Sequence, residues 1–133
     1  MDATNTMTST AKLTTAAWAE EFAKLLKPHF PEDSMLWPTL RTVAKCGTRL
    51  EKLGFTPSFD PPVLDLKQTD SVLNSLFSAA STMYAQGRRL GNPHGVRFGS
   101  LMHRTIVDLR VILWPHGLVS RTGPMFYSAD VKE

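Results

Sequence analysis

Two periodicities cross within residues 35–54, MLWPTLRTVAKCGTRLEKLG, and together they leave the chain few ways to fold. Leu36, Leu40, Val43, Gly47 and Leu50 recur at alternating spacings of four and three, which places them on one side of a helix. Arg41, Lys45, Arg49 and Lys52 recur at four, four and three and lie on another side. One face therefore requires an apolar partner and the other attracts an anion. At a helical rise of about 1.5 Å per residue, Arg41 to Lys52 form a cationic ridge about 16 Å long, longer than a single phosphate group needs. The competing reading is a solvated helix face, but such a face usually mixes acids with bases. Here Glu51 is the one acid against four bases.

The rest of the chain supplies partners for the apolar side. Its 133 residues suit one domain, and 42% hydrophobic with 20% charged residues describes an ordinary globular chain. Trp18, Phe22, Leu25 and Leu26 predict a first helix over residues 14–29, with Pro28 and Pro31 bracketing its end. Asp33 or Ser34 caps the basic helix, Pro38 falls near its first turn and Gly54 stops it. So short a connection implies an antiparallel hairpin, and Gly47 on the apolar seam marks a close helix contact. Residues 55–68 carry three prolines and read as an ordered crossing or linker, with Phe55, Phe59, Val63 and Leu64 packed on the hairpin. Asp70 or Thr69 then caps a third helix, whose face is Val72, Leu73, Leu76, Phe77, Ala80, Met83 and Tyr84 and which runs to about Leu90.

After a turn at residues 91–95, Phe98, Leu101, Met102, Thr105, Ile106, Leu109, Ile112 and Leu113 predict a fourth helix over residues 96–114. Val107, Leu109, Val111 and Leu113 also alternate as a half-buried strand would, yet no second strand offers a partner. The expected organisation is a loose arm at residues 1–12, an all-α domain at 13–114 and an irregular tail at 115–133, in which Met125, Phe126 and Tyr127 pin the chain to the core. The hairpin's apolar faces are too wide for two helices to cover. Either the third and fourth helices or a second copy of the chain completes the bundle.

Charge is distributed unevenly. Residues 1–34 sum to −2, 35–54 to +3, 55–85 to −2 and 86–104 to +4 with no acid, the remainder being neutral. The second basic patch contains Arg88, Arg89, Arg97 and Arg104. Arg88 and Arg89 also suit the last turn of a helix, where cations complement its dipole. Catalytic patterns are missing. His29, His94, His103 and His116 show no metal-pair spacing, no GxSxG elbow occurs, and the single cysteine, Cys46, makes neither an internal disulfide nor a zinc site. No enzyme, cofactor, metal or small-molecule substrate is expected. One free thiol, no long apolar run and no secretory pattern point to a cytoplasmic protein that does not enter a membrane. Repeated, spread positive charge suits nucleic acid, since each neutralised phosphate releases counterions. Thr42 and Thr48 beside the ridge add hydroxyls for phosphate or ribose. With only Trp37 nearby, backbone recognition of a duplex is favoured over stacking on unpaired bases.

An Ala-rich first helix, a short turn and a basic helix centred on Lys45, Cys46 and Arg49 give residues 14–54 an arrangement that resembles the small RNA-silencing suppressors of nodaviruses. The resemblance implies a helical hairpin that pairs with its copy into an antiparallel four-helix bundle. It further implies sequence-independent binding of double-stranded RNA along one basic face, and suppression of host RNA silencing by a viral protein. Three other readings stay open. A structural subunit of a larger ribonucleoprotein assembly would use the same faces, a helical adaptor would bind through apolar surface, and an enzyme would need His94, His103 or Cys46 gathered with an acid.

Overall fold

The computed structural model describes residues 11–120. Residues 1–10 of the expected arm and the tail segment with Met125, Phe126 and Tyr127 lie outside them. Four helices carry the described chain: α1 (Thr15–Leu26), α2 (Leu36–Lys52), α3 (Leu66–Leu90) and α4 (Pro93–Leu113), with short 3-10 turns at Lys27–His29 and Trp114–His116. The protein is all-α. Among the described residues the one pairing between extended segments is an antiparallel bridge from Leu13 to Phe59. None of these helices is long and apolar enough to cross a membrane.

Local signals set the helix ends. Thr14 caps α1 by accepting from the Ala17 N–H, and Ser34 Oγ accepts from the Leu36 N–H at the start of α2. Asp65 caps α3 through Gln68, so this helix begins a turn earlier than Thr69 or Asp70 would have it. Asn92 accepts from the His94 and Gly95 N–H groups, and Pro93 then occupies the first position of α4. The alternation at residues 107–113 belongs to this helix and not to a strand, because Leu109 and Leu113 are buried together with Met102, Thr105 and Ile106 at helical spacing.

α2 lies between α1 and α4, and α4 also packs along α3. Leu36, Leu40, Val43, Gly47 and Leu50 are all buried, joined by Cys46. Gly47 meets Thr15 of α1 so closely that an added Cβ would stand 2.5 Å from the Thr15 methyl. α4 covers part of the hairpin, and one buried core runs from Trp18 to Val119. Four expected core positions differ. Leu25 of α1 and Tyr84 of α3 are exposed, and so are Val63 and Leu64, since the crossing at residues 53–65 is anchored by Phe59 and half-buried Phe55 instead. Phe59 packs against Trp18 and pairs its backbone with Leu13.

Candidate nucleic-acid interface

All four ridge cations, Arg41, Lys45, Arg49 and Lys52, are exposed, on the side of α2 opposite its buried seam. None forms a salt bridge with a described residue; the described ion pairs are Lys12–Asp60, Lys24–Glu21 and Arg110–Asp70. Glu51 does not interrupt the row. It is half-buried, and it follows Gly47 by four residues, so it lies on the side of α2 that faces Thr15 of α1. Lys24 and Lys27 line a groove of about 480 Å³ together with Arg41, Trp37 and Glu32.

The two basic patches meet at Phe98. Its ring lies under the guanidinium of Arg49 at 5.2 Å and beside that of Arg97 at 5.7 Å, distances within the range of cation–π attraction. α2 and α4 run antiparallel: Phe98 meets Arg49 at one end, while Phe30, ahead of α2, touches His116, beyond α4, with ring centroids 4.3 Å apart at the other. Arg104, exposed and seven residues past Arg97, therefore runs back alongside the ridge, about 10 Å from Arg97 along the helix. Arg97 thus adjoins the ridge through Phe98, while Arg104 shares its face of α4 with Asp108, an exposed acid one turn further on.

Four other expected contacts are placed differently. The hydroxyls of Thr42 and Thr48 donate to the Pro38 and Ala44 carbonyls of their own helix, which leaves each only its acceptor lone pairs. They cannot donate to phosphate without breaking those bonds. Arg88 belongs to α3, where it donates to the Tyr84 hydroxyl at 3.3 Å and lies over that ring. Arg89 is exposed in the last turn of α3.

Sequence reasoning treated Phe98 only as a core residue. The aromatic of this surface comes from a helix 49 positions away from Arg49, and the one local signal was Arg97 beside it. Arg110 was also missed. It is 2% exposed and donates to Asp70 Oδ1 at 2.8 Å and to the Asn74 side chain, while Asp70 also accepts from the Ser120 N–H. This ion pair fastens the start of α3 to the end of α4 and takes no part in the exposed surface.

The remaining reactive groups are separate from one another. Burial pushes the Cys46 thiol up to about 11, against the opposing influence of Lys45, so it stays a protonated core residue at neutral pH. His103 stacks on Phe77 at 3.8 Å, shares a hydrogen bond with Ser81 Oγ at 2.8 Å, and is held below the usual histidine range by desolvation. Among the described residues no three His, Cys, Asp or Glu side chains gather as metal ligands would. Compared with family models, curated proteins and solved structures, the chain finds a match in none of the three.

Proposed function

We propose that this chain binds double-stranded RNA without sequence preference through the α2 ridge and the adjoining α4 arginines. One observation carries the reading: Arg41, Lys45, Arg49, Lys52, Arg97 and Arg104 are exposed cations on two adjacent antiparallel helices, with no acid among the described residues paired to them. A rigid helical surface of this kind contacts phosphates and sugars along a duplex and reads its shape, since the donors follow the helix axes and not base edges. The resemblance of residues 14–54 to nodavirus silencing suppressors supplies the biological consequence, which is that duplex RNA held on this face is shielded from the host silencing machinery.

The reading includes a homodimer, which would duplicate the ridge across a two-fold axis. An open groove of about 460 Å³ between α1 and α2, lined mostly by alanines together with Leu40, Trp37, Glu20 and Arg41, offers a surface to a second copy.

The test is a gel shift with double-stranded RNA, single-stranded RNA and DNA at two salt concentrations. Lys45→Ala combined with Arg49→Ala is expected to weaken duplex RNA binding at least tenfold and to flatten its log–log salt dependence by about two. Helicity and oligomeric state should be unchanged, because both side chains are exposed. Binding by the double variant equal to that of the parent would overturn the reading.

A further inference from the structure

The cationic row ends in a cavity of about 240 Å³, where the last turn of α2 meets the first turn of α4. Its lining is Arg49, Lys52, Leu53, Asn92, His94 and Phe98. We propose that this cavity is a pocket for one 5′-phosphorylated nucleotide, presented by the end of an RNA strand; the strand-end source rests on the duplex-binding reading above.

Two chemistries coexist in the pocket. Leu53 and Phe98 are partly buried apolar side chains packed against the core, and they form a wall that a phosphate alone would leave unused. Arg49 and Lys52 are exposed and supply positive charge, and His94 adds an exposed imidazole. An occupant that satisfies both has a flat apolar body and an anionic group. A nucleotide has these, with the base against Phe98 or the Arg49 guanidinium and the phosphate toward Lys52. The start of α4 does not itself provide the anion site, because the Asn92 side-chain carbonyl already accepts from the His94 and Gly95 N–H groups. Asn92 also lines the cavity, and its amide nitrogen, which takes no part in those bonds, keeps donors suited to a base edge.

Placement selects a strand end over an internal nucleotide. Beyond Lys52 the chain leaves the ridge through Leu53 and Gly54, so the row of charges stops at the pocket. A nucleotide inside a duplex reaches such a pocket only after unpairing and unstacking, whereas a terminal one gives up far less.

The experiment uses the full chain and four probes: an RNA duplex with 5′-phosphates, the same duplex with 5′-hydroxyls, adenosine 5′-monophosphate and inorganic phosphate. Gel shifts are expected to show the phosphorylated duplex bound about tenfold more tightly than the hydroxyl form. Titration with the mononucleotide should shift the backbone amide resonances of Leu53, Asn92 and His94, with phosphate alone producing much smaller changes. Phe98→Leu, which keeps an apolar wall but removes the ring, should reduce the mononucleotide shifts to the level of those with inorganic phosphate. Equal affinity for both duplexes with no shifts on mononucleotide addition would overturn the pocket while leaving duplex binding intact. Equal shifts with phosphate and mononucleotide would overturn the nucleotide assignment. Mononucleotide shifts without binding of any RNA would overturn both the strand-end source and the duplex reading.

Discussion

Asp70 is a residue whose role depends on partners distant in sequence. Its spacing ahead of Val72 suits a helix cap, yet it sits inside α3 and neutralises Arg110, 40 positions away, while Asp65 does the capping. Asp70→Ala is expected to cost about 3–5 kcal/mol in urea unfolding, because it leaves the Arg110 guanidinium buried without its counter-charge. A loss below about 1 kcal/mol would contradict this account. His103 gives the second prediction at this scale. Desolvation lowers its folded-state pKa, so the unfolded chain takes up a proton first as pH falls. Its contribution to stability is complete above about pH 6.5 and declines below that, until the folded form also protonates. Urea midpoints measured from pH 7.5 to 5.5 should therefore fall, and His103→Asn should remove that part of the decline. An identical decline in the variant would place its cause elsewhere. Neither residue's role was legible in the sequence, because both depend on contacts across the bundle.

Helices were more legible than contacts. The spacings of Trp18 and Phe22, of Leu36 to Leu50, of Val72 to Met83 and of Met102 to Leu113 give the number, type and approximate ends of the elements, because each buried stripe repeats locally. Gly47 was readable as a point of close approach, since a glycine on an apolar helix seam has few other uses. The glycines joining α3 to α4 were not, because their partners are backbone atoms of another helix. An ideal Cβ at Gly99 would stand 2.8 Å from the Ala80 carbonyl oxygen and the Tyr84 nitrogen. Gly99→Ala is thus expected to destabilise the fold by about 1–3 kcal/mol through overpacking. That result is opposite in sign to the gain of about 1 kcal/mol that alanine brings in an open helix. A higher melting temperature for this variant would show that the α3–α4 contact is looser than described.

At the scale of the whole molecule, chain order and spatial order differ. The crossing at residues 53–65 carries the chain away from α2, and α4 returns to cover it, so Arg97 and Arg104 lie beside the ridge although α3 intervenes in sequence. That juxtaposition brings the two charge patches into contact at Phe98. Arg88 and Arg89, which share the second patch in sequence, belong instead to the last turn of α3. Composition alone could not separate these pairs. Each arginine's helix and direction had to be known first. The central claim is that the six cations act together on a duplex, and the salt dependence of binding tests it most directly. With six phosphates neutralised, a plot of log affinity against log salt for double-stranded RNA should fall with a slope of about −5. A slope near zero, or equal affinity for single-stranded RNA, would contradict the account.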